Sequence, residues 1–501
     1  MTEEDRTVIE GKYTDAIIFL PREEIEDGAY EQVEEIVNHP AYRNPVRIMP
    51  DMHRGSSTVI GFTSPISNRV VTQAIGVDEG CGMYAFKLEN IDFDPDDEDD
   101  LNAVDLRIRD LVPMGRRVNK TDTYHVKNQF PWDELDKKWE LFATKHLDDI
   151  PLGEYHPDEF SYDNDYFVNL CRKVGYDLNR AISSIGSLGS GNHYIELGRT
   201  SDGEIWGTVH SGSRGLGYSV AEYHQDRAED IRELEAVRTA LGSLHEMYRR
   251  YVEPDVGSVS DNELHKWIHN RQIVDYDGLK DEFGGTEDAH MIEHISNVIN
   301  QASRGQYTDV EEFIDGVDVE ELEAMEDAGE MAYLEGEEAV EFYVDLAFTQ
   351  TYASESRKKM ARGVEEATGG EIVDSIESVH NYIDYEDGIM RKGSTPARDG
   401  ERAIIPMNMS YGSFLVRGKG NDEWNQSAPH GAGRAMSRTQ AFDELDEDSF
   451  EERMGGTFAS ELPLDEHPDA YKDVEMVRRA MEPTVEIVDR LEPFLNLKAD
   501  D

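Results

Sequence analysis

The stretch Ile205-Trp206-Gly207-Thr208-Val209-His210-Ser211-Gly212-Ser213-Arg214 combines a signal for the fold with a signal for the chemistry. The apolar and β-branched run from Ile205 to Val209 predicts a short buried strand that delivers His210 at its carboxyl end. A glycine-containing turn follows, and residues 219–252 then have helical spacing with few helix breakers. This succession predicts a mixed α/β protein that presents functional side chains where its strands end.

Five widely spaced clusters share one property: each contains a residue that can bind a metal or attack phosphorus. They are Asp78-Glu79-Gly80-Cys81-Gly82, Gly191-Asn192-His193, His210-Ser211-Gly212-Ser213-Arg214, His380-Asn381 and His430-Gly431-Ala432-Gly433-Arg434. Glycine allows a backbone to approach a ligand closely, so these side chains lie where small ligands could fit. One such cluster would mean little, but five together indicate a metal-dependent active site that handles phosphate.

The candidate metal ligands are one carboxylate, one thiol and three imidazoles, namely Asp78, Cys81, His193, His210 and His380. Asp78 and Cys81 are close enough in sequence to ligate the same or adjacent ions, and a thiolate can bridge two divalent ions. A mixed oxygen, nitrogen and sulfur set suits Mn, Zn, Fe or Co and disfavours Ca and Mg. The alternatives to metal binding are a small cysteine packed in the core and structural histidines held by hydrogen bonds. The residue types alone do not decide between these interpretations.

His430 offers a different chemistry. Histidine can attack phosphorus and form a phosphoramidate. The small residues that follow His430 allow a nucleotide to approach, and Arg434 can pair with its phosphates. On spacing alone, a metal-binding or structural histidine is an equally good interpretation.

The charge balance is extreme, with 107 acidic against 49 basic residues and a net charge of −58. Such an excess destabilises a compact state through self-repulsion unless salt is high. At about 1 M salt the Debye length is only ~3 Å, which largely screens that repulsion. We therefore expect a halophilic source rather than an ordinary protein with acidic tails. A nucleic-acid partner is not excluded, because Arg and Lys cluster in and near the motifs above.

Several compositional features bear on location. Two cysteines are too few for a disulfide framework. The amino terminus lacks the basic and apolar regions of a signal peptide. No run approaches the ~20 apolar residues that a membrane helix needs. We expect a soluble, cytoplasmic protein with no membrane partner.

Periodicity along the chain predicts mixed α/β structure without a sharp domain boundary, hence one domain over 1–501. An acidic helical surface insertion is expected over 283–345, because carboxylates but no Lys or Arg occur from Asp309 to Glu341. Residues 337–366 predict one long helix, and Ile372 to His380 a strand.

Two further segments carry specific expectations. The run Asp96-Asp97-Glu98-Asp99-Asp100 is most simply a solvated loop. The segment from Asp473 to Leu491 predicts an amphipathic helix interrupted at Pro483.

In chain order, the motifs resemble those of the RtcB-type RNA ligase family, which joins RNA ends using GTP and manganese. The resemblance extends over nearly the whole chain and rests on Met49–Gly55, Gly76–Met83, Gly191–Glu196, His210–Gly215, His380–Tyr382, Arg391–Gly393, His430–Arg438, Tyr471–Val474 and Lys498. Together with the charge, it indicates a family member from a halophilic archaeon. It also implies a fold in which mixed sheets surround a central metal site.

The resemblance implies a role for each matched residue. Asp78, Cys81 and His193 would hold one Mn²⁺, and Cys81, His210 and His380 a second. His430 would attack the α-phosphate of GTP, and Asp51 would orient His430. The residues that would line the guanylate pocket are Asn192, Glu196, Asn381, Pro406, Asn408, Ser413, Ala432, Gly433, Tyr471 and Lys498.

The family's reaction would open an RNA 2′,3′-cyclic phosphate to a 3′-phosphate and transfer GMP to it. The 5′-hydroxyl of another RNA end would then displace the GMP. The implied substrates are tRNA exon halves or broken RNA, and the small protein archease is a possible partner.

The chain departs from the family at Pro406-Met407-Asn408-Met409, where Pro-Gly-Ser-Met is common. Met407 adds bulk at a nucleotide-contacting turn, so this change bears on nucleotide affinity or choice.

Two other functions compete with ligation. A binuclear metallo-phosphoesterase would open cyclic phosphates without ligation, but it needs neither a nucleophilic His430 nor a nucleotide pocket. A non-catalytic RNA-binding protein would tolerate loss of ligands, yet all five are present.

Overall fold

The computed structural model describes residues 6–121, 123–148, 150–253, 255–285, 288–326 and 329–499. Its strands are β1 (Thr7–Glu10), β2 (Asp15–Ile18), β3 (Val46–His53), β4 (Ile60–Pro65), β5 (Arg69–Val71), β6 (Gly82–Glu89), β7 (Tyr194–Arg199), β8 (Ile205–Ser211), β9 (Tyr333–Glu335), β10 (Glu371–Val379), β11 (Asn381–Ile383), β12 (Ile389–Lys392), β13 (Ser394–Pro396), β14 (Arg402–Asn408), β15 (Gly412–Gly418), β16 (Ser427–Pro429), β17 (Phe458–Ala459) and β18 (Val485–Leu497).

The α-helices are α1 (Asp27–Val37), α2 (Glu98–Leu111), α3 (Val126–Gln129), α4 (Trp132–His146), α5 (Asn164–Lys173), α6 (Leu178–Ser184), α7 (Arg214–Ser243), α8 (Glu246–Arg249), α9 (Asp261–His269), α10 (Tyr276–Phe283), α11 (His290–Ala302), α12 (Val319–Glu326), α13 (Glu337–Thr368), α14 (Arg438–Glu444), α15 (Glu447–Met454) and α16 (Val474–Met481). The predicted mixed α/β class is confirmed. Within the described ranges, no helix combines the length and the apolar character that crossing a membrane requires.

The chain forms two compact units. The first comprises 1–223 and 335–501, and the second comprises 224–334. The second unit is mainly helical and has an apolar core of its own, which includes Leu241, Ile273 and Ile299. The prediction of one domain over 1–501 and of an acidic insertion over 283–345 stays a prediction.

Two larger sheets organise the first unit. One has the strand order β1-β2-β3-β4-β12-β11, and the other has the order β10-β6-β8-β7-β18-β15-β14, with β17 paired to β18. The second of these is called the large sheet below. Its outermost strands approach each other through side chains: Arg402 of β14 pairs with Asp374 of β10, and the Ile404 backbone N–H donates to Ser378 Oγ. The large sheet is therefore strongly curled.

Apolar side chains pack on both faces of the large sheet, because successive residues of a strand point to opposite faces. Phe86 and Leu88 of β6 join one apolar cluster with residues of α2 and α13, such as Val104 and Met360. Met83 and Ala85 point to the opposite face and pack against residues of β10, β14, β15 and β18. The sheet edge that carries the candidate ligands is thus held rigidly from both sides.

Two local expectations are wrong. Asp97 caps α2 by accepting a hydrogen bond from the Asp100 backbone N–H, and Glu98 to Asp100 form its first turn. Carboxylates are stabilised at a helix amino terminus by the helix dipole, so this acidic run starts a helix instead of forming a loop. The helix predicted from Asp473 to Leu491 ends at Met481, and residues from Val485 onward form β18.

Candidate active site

The candidate metal ligands meet at one edge of the large sheet, because adjacent antiparallel strands begin and end there. Cys81 precedes β6 and His193 precedes β7, whereas His210 lies near the end of β8 and His380 follows β10. In register, His210 lies opposite Met83 at the start of β6. Antiparallel pairing places the start of one strand beside the end of the next. Residues far apart in sequence therefore converge.

Cys81 lies at the centre of this convergence. Its Sγ is 3.5 Å from His193 Nε2 and 3.4 Å from His210 Nε2. His193 Nε2 lies 2.9 Å from Asp78 Oδ2, and the Nε2 atoms of His210 and His380 are 3.0 Å apart. Two groups that could each hold a metal ion result, Asp78/Cys81/His193 and Cys81/His210/His380.

The tautomers of His210 and His380 test whether a cation fits. His210 Nδ1 lies 3.0 Å from the backbone oxygen of Asn192, so this nitrogen must carry the proton. His380 Nδ1 contacts Asn381 Oδ1 at 3.3 Å, and that oxygen also accepts from the Gly393 backbone N–H. Both Nε2 atoms therefore present lone pairs to each other. A cation between them relieves this repulsion, and such fixed Nδ1–H groups are usual for ligating histidines.

The protonation states support the same conclusion. Burial, reinforced by neighbouring histidines, lowers the pKa of His210 and His380 well below the ordinary value, so both rings are neutral. Burial opposes ionisation of Asp78, but His193, together with Cys81 and His380, outweighs burial, so the pKa of Asp78 lies below its usual value. Burial and then Asp78 raise the pKa of Cys81. A bound metal would reverse that last shift, because a coordinating thiol is deprotonated. The donor set fits a divalent transition metal.

His430, which is partly exposed, and the buried Asp51 form a separate pair beside this cluster. Asp51 Oδ2 accepts from His430 Nδ1 at 2.7 Å, from the His430 backbone N–H at 3.1 Å and from the Gly431 backbone N–H at 3.3 Å. Asp51 is fully buried, and the ring of His430 lies 4.8 Å from that of His380 between centroids. The pairing fixes the proton on Nδ1 and leaves Nε2 as a base or nucleophile.

A cavity of about 840 Å³ opens beside His210, His380 and His430. The predicted nucleotide residues that line it are Asn192, Glu196, Asn381, Pro406, Asn408, Ala432, Gly433, Tyr471 and Lys498. Ser413 is buried on β15 and is not among the lining residues. Met407 and Asn408 both line the cavity, so the departure from the family pattern lies at this surface.

The structure adds two residues that the sequence reasoning missed. Glu466 Oε2 accepts from Tyr471 Oη at 2.8 Å and from Lys498 Nζ at 3.0 Å. Asn496 Nδ2 donates to Glu196 Oε2 at 2.9 Å. Burial raises the pKa of Glu196 to about 8, against the opposing effects of Asn496 and Lys498. Only their position in the sequence could have indicated these two residues. Glu466 lies shortly before Tyr471 and Asn496 shortly before Lys498, and both of those residues belong to the motifs matched above.

Comparison with known proteins identifies the family to which this mixed α/β chain belongs. The family model described as tRNA-splicing ligase RtcB matches residues 32–250 and 310–499, so the chain belongs to the RtcB family. The segment 251–309 lies outside the match.

Similar relatives cover almost the whole chain. The RNA-splicing ligase RtcB of Escherichia coli (strain K12) is 26% identical over 500 residues, with 95% of each protein covered. The tRNA-splicing ligase RtcB of Nanoarchaeum equitans is 24% identical over 95% of this chain and 88% of its own length. That of Methanococcus maripaludis is 21% identical over 93% of this chain and 89% of its own length.

Proposed function

We propose that the protein is a GTP- and Mn-dependent RNA ligase. It would join 2′,3′-cyclic phosphate or 3′-phosphate ends to 5′-hydroxyl ends through a guanylylated His430, in tRNA splicing or RNA repair. The observation that carries the proposal is the Asp51–His430 pair, 2.7 Å between Oδ2 and Nδ1, next to the five-ligand cluster. A hydrolase would need the cluster but not the pair.

The chemistry at His430 follows from its tautomer. The hydrogen bond to Asp51 keeps the proton on Nδ1 of His430, and the Nε2 lone pair attacks the α-phosphorus of GTP. The bond from that phosphorus to the bridging oxygen breaks, and pyrophosphate leaves. Asp51 stabilises the positive charge that develops on the ring, as a carboxylate beside a catalytic imidazole does. An RNA 3′-phosphate oxygen then takes GMP from His430, and the 5′-hydroxyl of the second RNA displaces GMP.

The candidate ligands would hold two Mn²⁺ ions, with Cys81 shared between them. Bound metal would supply neutralisation of the charge that develops on the attacked phosphate. His210 and His380 are oriented for this by Asn192 and Asn381. Burial is what keeps both rings neutral.

The nucleotide would occupy the cavity beside His430. In its ionised form Glu196 suits guanine, because a carboxylate accepts hydrogen bonds from the N1–H and N2–H₂ edge, and Asn496 donates to one of its oxygens. Lys498 can donate to an acceptor on the base. Asn192, Asn381, Asn408, Tyr471 and the backbone of Ala432 and Gly433 would contact the rest of the nucleotide. Ser413, which lies behind this surface, would support it.

The proposed setting is the cytoplasm of a salt-accumulating cell, with archease as a possible activating partner. The carboxylates are spread along the chain, and the net charge of −58 is the observation that supports this setting.

The decisive experiment is incubation with α-labelled GTP and Mn²⁺ in concentrated potassium salt, followed by denaturing electrophoresis. The wild type should carry an acid-labile label, and His430→Ala should not. The exposed His156 provides a matched control, and His156→Ala should label like the wild type. Asp51→Asn should label at least about 10²-fold more slowly, because the ring loses its orienting carboxylate.

The outcomes separate the two candidate enzymes. Absence of label from folded protein, with cyclic phosphates still opened, would favour the binuclear phosphoesterase. Label that persists in His430→Ala would place the nucleophile elsewhere and overturn the proposed mechanism.

A further inference from the structure

Arg357 of α13 makes contacts that the proposed reaction does not use directly. Its side chain is fully buried. Nη1 donates to the backbone oxygen of Gly80 at 2.6 Å and to that of Ser211 at 2.7 Å. Nη2 and Nε donate to Glu377 Oε1 at 2.8 and 3.2 Å. One guanidinium therefore joins three separate segments of the chain.

These three segments carry the three members of one candidate metal group. Gly80 immediately precedes Cys81, and Ser211 immediately follows His210. Glu377 lies on β10, which leads directly to His380. Cys81, His210 and His380 are one of the two groups. The other group shares Cys81, and its Asp78 lies two residues before Gly80, but its His193 has no such link to Arg357 among the described contacts. The two groups therefore differ in that both histidines of the first are linked to Arg357 and the histidine of the second is not.

The local packing is built for this contact. Gly80 has a φ of +70°, and a Cβ at this position would lie 2.8 Å from Gln350 Cα and 3.0 Å from Ala353 Cβ of α13. Glycine at this position therefore lets α13 approach the Gly80 turn closely enough for Arg357 to reach both carbonyls. A planar guanidinium can serve two carbonyls and a carboxylate at once, which a lysine ammonium on a flexible stem does less well.

We propose that Arg357 is a positioning residue for the Cys81/His210/His380 metal site and that it sets the affinity of this site selectively. The inference rests on the proposed function, because it assumes that the two groups bind metal. It adds a residue outside the ligand set and assigns it to one of the two sites. Partners of metal ligands typically contribute 10–100-fold to metal affinity.

The test is Mn²⁺ binding by equilibrium dialysis with metal analysis, on full-length protein in concentrated potassium salt. The wild type should bind two equivalents. Arg357→Lys should bind one equivalent with wild-type affinity and the second about 10–100-fold more weakly. Glu377→Gln should weaken the same site less, because it keeps an acceptor for Arg357. His380→Ala should lose this site, and His193→Ala the other.

Double variants and a control sharpen the assignment. In a His380→Ala background, Arg357→Lys should not weaken Mn²⁺ binding any further. In a His193→Ala background, it should weaken Mn²⁺ binding as much as it does in the wild type. Arg391→Lys is the matched control, since Arg391 is also fully buried and paired with carboxylates, on Asp387 and Asp384. It should destabilise the fold yet bind two equivalents normally.

Failure of the proposed metal dependence and failure of the inference about Arg357 would give different results. A wild type that binds no divalent metal would remove the proposed metal dependence, and the inference with it. A folded Arg357→Lys protein that binds two equivalents normally, or that loses both sites equally, would overturn the inference alone. If Arg357→Lys does not fold, Glu377→Gln decides: unchanged affinity at both sites overturns the inference, and selective loss supports it.

Discussion

Glu466 is a single carboxylate that fixes two side chains of the proposed nucleotide pocket. It is buried, and its Oε2 accepts from both Tyr471 and Lys498. Glu466→Gln keeps the size but removes the charge opposite Lys498. We expect GTP affinity to fall roughly 10–100-fold, because charge-assisted hydrogen bonds contribute about 1.5–3 kcal/mol. Titration in a His430→Ala background measures binding without turnover.

Glu475 supplies the control for this substitution. It is an exposed partner of Arg478, so Glu475→Gln should leave affinity unchanged. If Glu466→Gln and the wild type bind GTP with equal affinity, the charge of Glu466 is not needed to position Lys498 and Tyr471.

Glu196 should make stability depend on pH. Its pKa is raised from 4.5 to about 8, chiefly by burial, so the folded state keeps a proton that the unfolded state releases. Between these values Glu196 binds more protons in the folded state than in the unfolded state, so its contribution to stability falls as pH rises. Glu196→Gln should flatten this decline. Part of the decline should remain in this variant, because burial also raises the pKa of Glu79 to about 8.

Denaturant titrations at several pH values in concentrated salt measure this slope. Identical slopes for the variant and the wild type would mean that Glu196 is ionised in the folded protein.

The limits of sequence reasoning at this scale have a physical cause. Asp78, Cys81, His193, His210, His380 and His430 lie in short glycine-rich motifs of rare residue types, and these motifs are visible locally. Glu466 is one carboxylate in a chain with 107 acidic residues, so its type carries no signal. Arg357 lies in the middle of a long helix, and its partners are identified by three-dimensional packing alone.

At the scale of elements, the Gly80 turn packs closely against α13 behind the candidate ligands. Gly80→Ala adds backbone strain at a φ of +70° and a clash with Gln350. We expect a loss of about 2–5 kcal/mol in the free energy of unfolding, from strain and overpacking together. Urea titration measures it.

Gly175 separates the two contributions. Its φ is +67°, but the described residues beyond its chain neighbours leave open space within 4 Å of an added methyl group. Gly175→Ala therefore carries the strain without the clash, and it should cost about 1 kcal/mol. Equal losses at Gly80 and Gly175 would contradict the close approach of α13.

Elements with long, consistent periodicity could be predicted from the sequence. The helix expected over 337–366 is α13, Glu337–Thr368, and the strand expected from Ile372 to His380 is β10, Glu371–Val379. The helix expected to extend past Pro483 is instead β18, because this strand pairs with β7 and β15 on its two sides. Pairing with distant strands overrides local spacing and is invisible to it.

At the scale of the molecule, the net charge of −58 should make stability depend on ionic strength. Lowering KCl from about 1 M to about 0.1 M lengthens the Debye length from ~3 Å to ~10 Å and exposes the carboxylates to one another. The unfolding temperature should fall markedly, as calorimetry would record. Sorbitol at matched osmolality should not restore it, because it does not screen charge. An unfolding temperature that is independent of KCl would refute the halophilic interpretation.

The position of β18 has a consequence for how the protein is made. This strand lies between β7 and β15 in the large sheet, yet it follows every other strand of that sheet in the chain. A ribosome therefore synthesises both neighbours long before the strand that separates them. Until β18 emerges, β7 and β15 lack the partner that joins them, and the pocket lacks Asn496 and Lys498. The proposed nucleotide pocket is thus incomplete in the nascent chain until β18 has been translated.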